Sequence, residues 1–595
     1  MASRRRARLS AFVLLASGAA AWPALASAQS ASDILPPTRE EVTRQQTIQP
    51  PVQAPRLEVE GGVERSPCAL EGPEFAAITL DVKGVEFEGL KGMTAAELAP
   101  AYQYFVGRNE PISVVCEIRD RAATMLRNAG YVAAVQVPEQ RITDGVIRFK
   151  VLMAHLTQIR VRGDASGAER IIAGYMNQLT GEEVFNKYQA ERYLLLASDL
   201  PGYTIRLTLR PAGTAPGDVV GDVTVQRTPF YADANIQNAG SKELGRWGGL
   251  VRGQVFGLTG LGDRTTISAF STSDLKEQQT LQLGHDFRLG SQGLSISDLF
   301  TYAWARPSIA GTSKVRANTL LNTFEVAYPL VRKLTQTIRG SVGMDFVNQD
   351  VKLDGIDLTR DRLRVVFARL GTDSLSNDFS RNWTSLAEPY WRFAAQVEMR
   401  QGLSILGASD YCGSTGARCL GPGDVPPSRL EGRATAFVLR SNSYGELRPI
   451  RNVTLGLNLR SQLAWKPLLS FEEFSAGNYT VGRGYDPGSL IGDRGFGSQV
   501  EVRFGSRVQK SAKKPAVEGY AFWDYARVDN RDRLTILDQS NHLNSVGAGA
   551  RIGFGRFALD TALAFPLTRV GLFNDKPDPR LLISLTTRLW PWSYQ

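Results

Sequence analysis

From about Thr228 to the C-terminus the chain is a succession of segments, each ten to fifteen residues long, in which apolar and polar side chains alternate. Val453, Leu455, Leu457 and Leu459 fall on one face, with Asn452, Thr454, Asn458 and Arg460 on the other. Val342, Met344 and Phe346 stand in the same way against Arg339, Ser341 and Asp345, and Val500, Val502 and Phe504 against Gln499, Glu501 and Arg503. A period of two puts successive side chains on opposite faces of a strand. Lipid would take the apolar set and a wet lumen the polar one. Such segments begin near 228, 246, 263, 278, 292, 316, 334, 360, 387, 430, 450, 496, 516, 543, 556 and 580, which makes sixteen. An even number is what a closed bacterial barrel requires. Connections alternate in length: Gly290-Ser291 and Gly555-Arg556 are tight, whereas 402–429, 467–495 and 529–542 are long. Long loops face outside and short turns face the periplasm. The pattern therefore predicts a 16-stranded antiparallel transmembrane β-barrel over 228–595.

Upstream the period changes. Residues 76–154 read strand, helix, helix, strand, strand: Ala77 to Val82, Ala95 to Val106, Val114 to Asn128, Val132 to Val137 and Val146 to Leu152. The order recurs over 155–227 with Ile159 to Val161, Ala168 to Leu179, Lys187 to Leu200, Thr204 to Leu209 and Val219 to Val225. These are two small α+β domains built on one plan. Residues 29–75 are rich in Pro and Gln and form a linker without a core of its own. Within it Thr38-Arg39-Glu40-Glu41 is a capping-box pattern that opens a short helix to about Ile48.

Composition narrows the setting. Mean hydropathy is −0.18 and charged residues make up 22%, and the longest apolar run, Leu9 to Ala21, is too short to span a bilayer as a helix. Residues 1–28 carry Arg4, Arg5, Arg6 and Arg8, an apolar middle and Ala26-Ser27-Ala28, the order of a secretory signal peptide. Export places the four cysteines in an oxidising compartment. The simplest pairing is Cys68 with Cys116 and Cys412 with Cys419; zinc is the rival, but no histidine lies near either pair in sequence. The net charge of +10 is spread along strands and not gathered into a run, which argues against nucleic acid.

One stretch stands apart. Residues 472–497 hold Gly482, Gly484, Gly488, Gly492, Gly495 and Gly497 around the central cation of Arg483-Gly484-Tyr485-Asp486. The spacing is not that of a phosphate-cradling loop, and a strand pattern follows it instead of a helix. A guanidinium in a packed loop needs a carboxylate or water, and a candidate lies downstream in Phe522-Trp523-Asp524. If Asp524 points inward, Phe522 and Tyr520 do too, while Ala521, Trp523 and Tyr525 face lipid. An Arg-Gly-Tyr loop between strands eleven and twelve, with Phe-x-Asp on strand thirteen, resembles the two-partner secretion transporters, the hemolysin secretion/activation proteins. In this sequence Gly482 separates Val481 from Arg483, where the family has Val directly before Arg. The run Gly130-Tyr131, Pro138-Glu139-Gln140 and Gly145 resembles the end of the family's first polypeptide-transport-associated (POTRA) domain, and Gly257 to Asp263 resembles a family turn.

The resemblance implies that loop 467–495 folds into the lumen and that Arg483 meets Asp524 on the inner wall, with Tyr485 and Phe522 beside them. It also implies that the two α+β domains are periplasmic POTRA domains. Unpaired strand edges there would bind an unfolded secreted exoprotein by strand addition. The helix after Thr38 would plug the barrel; the alternative is a helix that frays in the periplasm. Other expected partners are outer-membrane lipid and the barrel-assembly machinery that inserts the chain. Residues 590–595 extend past the usual terminal aromatic. His155, His285 and His542 lie in three distant regions, and no nucleophile, zinc or nucleotide motif accompanies them, so neither enzyme activity nor a cofactor or metal is expected. The rival functions are a barrel-assembly factor and a passive porin.

Overall fold

The computed structural model describes residues 37–43, 56–59, 68–308, 313–378, 380–413, 415–416, 418–419, 421–532, 541–570 and 577–591. The expected signal peptide, most of the linker and residues 592–595 lie outside them. Sixteen antiparallel strands close a barrel, from Phe230–Gln237 to Arg580–Trp590, each paired to its sequence neighbour. Loop 465–493 joins strand eleven, Val453–Ala464, to strand twelve, Arg494–Gly505, and strand thirteen is Ala516–Asp529. The period-two reading holds along them: Tyr520, Phe522 and Asp524 are buried inside while Trp523 is exposed. No helix among the described residues is long and apolar enough to cross a membrane.

Closure between the first and last strands rests on six register pairs, Ala232↔Trp590 to Gln237↔Ser584, with a bulge between Ala232 and Asp233. Asn235 supplements this ladder from the lumen, its amide donating to Ser584 Oγ and Thr586 Oγ1 at 2.9 Å each. Strands six to eight, Val315–Arg332, Gln336–Leu353 and Ile356–Leu375, are the longest, at 18, 18 and 20 residues. They form the wall opposite the seam.

The second upstream unit has the expected plan; in the first, the expected strand Ala77 to Val82 is reduced to Thr79–Asp81, paired with Asn109–Pro111, and the main sheet takes Gly84–Glu88 instead. In the first, Gly84–Glu88 lies parallel to Val146–Met153, which Ala133–Gln136 pairs antiparallel, and the helix Val114–Asn128 covers the sheet. In the second, His155–Gly163 lies parallel to Asp218–Arg227 and Tyr203–Pro211 antiparallel to it, with helices Glu169–Asn177 and Lys187–Ser198 over a core including Ile172, Met176, Leu196 and Leu207. Two further expectations need correction. The stretch 95–106 is not an α-helix but a run of tight turns around a short 3₁₀ segment, Ala99–Ala101. Pro100 has no N–H to offer Ala96, so the chain closes bonds one residue shorter, such as Ala99 N–H to Ala96 O. Leu98, Ala101 and Phe105 still face the core. The second unit's sheet edge is also not open on both sides, because Arg56–Val59 of the linker adds to Tyr203–Pro211 in parallel.

The second unit is fixed to the barrel through the turn after strand two. Asp263, fully buried, accepts from the amides of Leu258 (3.0 Å) and Thr259 (2.8 Å) and from the Thr259 hydroxyl (2.6 Å). Gly167 comes so close that a Cβ there would strike the Gly257 carbonyl, and Gly262 N–H donates to Gly167 O. Burial works against ionisation of Asp263, but the Thr259 hydroxyl and the two amides outweigh it and hold its carboxyl below the usual range. A depressed value means that the turn is stabilised above the ordinary aspartate pKa and loses that stability as pH falls through the lowered one. In Asp263→Ala, exchange of the Leu258 and Thr259 amides at neutral pH should rise by about tenfold or more. Wild-type protection in that variant would show that the turn is held by something else.

Candidate functional site

Loop 465–493 enters the lumen as a folded unit. Phe474–Ala476 pairs antiparallel with Leu490–Gly492, and Phe474, Val481, Tyr485 and Leu490 pack with Ala526, Val528 and Leu543 of the wall. The glycine before the arginine has a local reason: Gly482 has φ +117°, and a Cβ on it would meet Leu543. Gly484 lies against Ser545 and Pro566, where a Cβ would stand 3.0 Å from both. That close approach carries Arg483 to the wall.

Arg483 binds Asp524 three times, through its own amide (2.9 Å to Oδ2), Nε (3.0 Å to Oδ2) and Nη2 (2.6 Å to Oδ1). The guanidinium lies 3.6 Å from the centre of the Phe522 ring. Its remaining nitrogen, Nη1, reaches Glu501 Oε1 at 2.6 Å. Glu501 in turn receives Arg503 (2.7 Å) and Arg551 (3.0 Å), and Arg551 continues to Glu518 and Asp560 at 3.1 Å each. The expected Arg–Asp pair is thus one link of a band of alternating charge across strands twelve to fifteen. Arg483 and Glu501 have charged partners on both sides, while the fully buried Asp524, at the edge of the band, is held in place by Arg483.

The next two residues point elsewhere. Tyr485 is fully buried, but its hydroxyl turns away from the arginine to the carbonyls of Asn544 (2.8 Å) and Thr568 (2.9 Å). Asp486 meets Arg580 of the last strand at 2.5 Å and Arg246 of the first outer loop at 3.1 Å, and it accepts from the Lys242 amide at 3.3 Å. Arg-Gly-Tyr-Asp therefore ties the loop to strand thirteen by its first residue and across the barrel seam by its last.

A second anchor, at the base of the loop, lies outside the glycine-rich motif. Glu472 takes Arg400 through both oxygens (3.0 and 2.7 Å) and Arg440 at 3.0 Å. Arg400, fully buried, also binds Asp345 at 2.8 Å and Glu398 at 2.6 Å. Arg39 approaches Asp345 at 3.6 Å, Glu40 binds Arg460 at 2.8 Å, and Val42 packs with Leu321, Val347, Leu363 and Phe471. The short helix Arg39–Val42, capped as expected by Thr38 and Glu41, is therefore inside the lumen; it ends at its C-cap Thr43, short of the expected Ile48, and residues 44–48 lie outside the described residues. At the outer rim Arg429 holds Asp493 (2.6 Å), Glu473 (2.7 Å) and Asp532 (2.8 Å). These partners carry no motif. The alternation places Glu501, Asp345 and Arg400 on the inner face, but their meeting depends on the strand register and on how far the loop descends.

Cys68 is bonded to Cys116 and Cys412 to Cys419. Among the described residues the one group with metal-ligand spacing is Cys68, Glu71 and Cys116, and its thiols are the bonded pair. The second disulfide braces the long outer loop between strands nine and ten.

A closed sixteen-stranded barrel with POTRA-type modules on its periplasmic side and an arginine loop in its lumen defines a protein-transporting barrel of the outer membrane. The family model of the haemolysin secretion/activation proteins ShlB/FhaC/HecB matches residues 219–552, and that of the ShlB-type POTRA domain matches 80–153. The chain belongs to the haemolysin secretion/activation family. It is similar to the heme/hemopexin transporter protein HuxB of Haemophilus influenzae, at 22% identity over 482 residues covering 79% of this chain and 80% of that protein. In fold it resembles CdiB from Escherichia coli, with a TM-score of 0.67, 14% identity and coverage of 95% and 96%. CdiB from Acinetobacter baumannii aligns at 0.58, again with 14% identity, covering 95% of this chain and 97% of that structure. The protein is a two-partner secretion transporter of the outer membrane, its POTRA modules are periplasmic, and its client is a secreted partner protein.

Proposed function

We propose that the modules at 76–154 and 155–227 capture the unfolded partner by strand addition, and that the partner then passes through the barrel once loop 465–493 and the helix at 39–42 give way. The observation that carries this reading is the lumen itself: loop and helix both lie in it, held there by ion pairs, not by covalent bonds. Charges so arranged exchange partners without leaving any group unpaired for long. The edges open to a client are Gly84–Glu88, Ala133–Gln136 and His155–Gly163, since Arg56–Val59 already occupies the fourth. A client at Tyr203–Pro211 would first displace that linker segment. Arg483, Gly484, Tyr485, Asp486, Phe522 and Asp524 form the latch. Transport uses no enzymatic step; the drive comes from the partner folding outside, because the periplasm lacks ATP. The barrel-assembly machinery inserts the chain.

Two features favour secretion over a barrel-assembly factor: two modules in place of a longer series, and a plug helix on a Pro-rich tether. A passive porin needs no modules. Deleting residues 76–227 separates these readings: a secretion transporter loses its partner from the medium, while a porin keeps its solute flux. Undiminished secretion by the deleted chain would overturn the assignment of capture to the modules.

A further inference from the structure

The three tall strands opposite the seam carry a feature that protein transport does not use. Their outward face is apolar through Phe324, Val342, Met344, Phe346 and Val366, as lipid requires. Toward the extracellular end the same face becomes basic. Phe346 is paired with Arg364, Asn348 with Arg362, Asp350 with Arg360, and Arg316 with Lys352. Five cations meet two carboxylates there. Asp350 takes Arg362 (2.8 Å) and Arg360 (3.2 Å), and Asp357 takes Lys352 (2.8 Å) and Arg360 (3.2 Å). Lys314 and Asp354 at the hairpin tip add one charge of each sign.

Arg364 is the telling residue. It is only 7% exposed, yet no carboxylate among the described residues binds it. Its nitrogens donate to the carbonyls of Val347 (3.0 Å), Leu363 (2.8 Å) and Leu406 (3.2 Å), and its guanidinium lies 5.6 Å from the Phe346 ring centre. A guanidinium at the edge of lipid without an anion is unfavourable. Directly below it the wall is dented. Ala368 is small between its register neighbours Val342 and Met399, and Phe324, Val366 and Phe437 complete a trough of ≈ 520 Å³ with almost no polar lining.

We propose that this face binds a phosphorylated, multiply acylated glucosamine lipid of the outer leaflet, with a phosphate on Arg362 and Arg364 and one acyl chain in the trough over Ala368. The chemistry selects both halves of the ligand. Arginine forks match phosphate oxygens, and the trough begins one residue pair beneath them, so a single amphiphile reaches both.

The test uses the full chain, purified in detergent and stripped of lipid, with bound lipid counted by native mass spectrometry. The probes are bisphosphorylated lipid A, its dephosphorylated form, phosphatidylethanolamine and inorganic phosphate. Wild type should retain the bisphosphorylated lipid in preference to the other two lipids, and millimolar inorganic phosphate should not displace it. Arg362→Gln with Arg364→Gln should lower retention by about tenfold or more. Ala368→Trp, which fills the trough and leaves the cations in place, should lower it independently and decides the matter if the double variant does not fold. Equal retention of phosphatidylethanolamine or of the dephosphorylated lipid, displacement by inorganic phosphate, or full retention by a folded Ala368→Trp would overturn the proposal.

Discussion

Arg483→Ala is expected to cut secretion of the partner by at least about tenfold while the barrel still inserts and closes. The asymmetry of the site is the reason. When the guanidinium goes, Glu501 keeps Arg503 and Arg551, so the wall from strand twelve to strand fifteen remains paired. Asp524 does not fare as well: fully buried, it keeps only the amide of residue 483. Removing one partner of a buried pair costs about 3–5 kcal/mol, and here the cost falls on the loop-in state alone, because the wall does not need Arg483. A shift of that size changes the ratio of docked to undocked loop by roughly 10²-fold or more, and secretion falls because a loop released before the partner engages lies across the partner's path instead of being held against the wall until then. Arg483→Lys should rescue only in part, since an ammonium cannot present two parallel donors to Asp524 and a third to Glu501. Partner protein in the medium reports transport, and the heat-modifiable gel shift of the folded barrel reports insertion. Wild-type secretion by a correctly inserted Arg483→Ala would remove the latch from the mechanism.

Much of this site could be read from the chain because its logic is local. A strand's period of two fixes which side of the wall Asp524 faces, and a charge facing lipid is costly enough to leave one choice. The glycines around Arg483 announce a loop that approaches the wall closely, and they do so, Gly482 against the Leu543 side chain and Gly484 against Ser545 and the Pro566 backbone. What stayed hidden is long-range. Glu501 and Arg551 are ordinary lumen charges in sequence, and they become the partners of the latch only through the registers Glu501↔Phe522 and Phe522↔Gly547. The helix at 39–42 was legible as a helix from its capping box, but its place in the lumen is set by Asp345 and Arg460, hundreds of residues away. The strand Arg56–Val59 escaped for another reason: Arg56-Leu57-Glu58-Val59 alternates, but four residues in a proline-rich stretch are too few for the pattern to stand out, and the strand forms on the edge offered by Tyr203–Pro211.

Arg400→Met should have the larger effect on the barrel itself. Arg400 is the largest of the fully buried side chains, and it joins strand nine to Asp345 on strand seven and to Glu472 at the base of the loop. Methionine fills most of the space but leaves three carboxylates, those of Asp345, Glu398 and Glu472, converging without their common cation. Arg369 still holds Glu398 and Arg440 still holds Glu472, whereas Asp345 keeps only Arg39 at 3.6 Å and the Thr323 hydroxyl. Like charges in a poorly hydrated interior repel, so the loss should reach about 3–5 kcal/mol and lower the melting of the folded band on the order of 10 °C. Because Arg39 and Glu472 sit in this same cluster, the plug helix and the loop base should loosen together, and ion conductance through the purified barrel should rise. Adding Glu472→Gln to Arg400→Met removes one of the stranded charges and should recover part of the stability without restoring the seal. If the double variant is no more stable than the single one, Arg400 acts by packing and not as the shared counter-ion of the lumen.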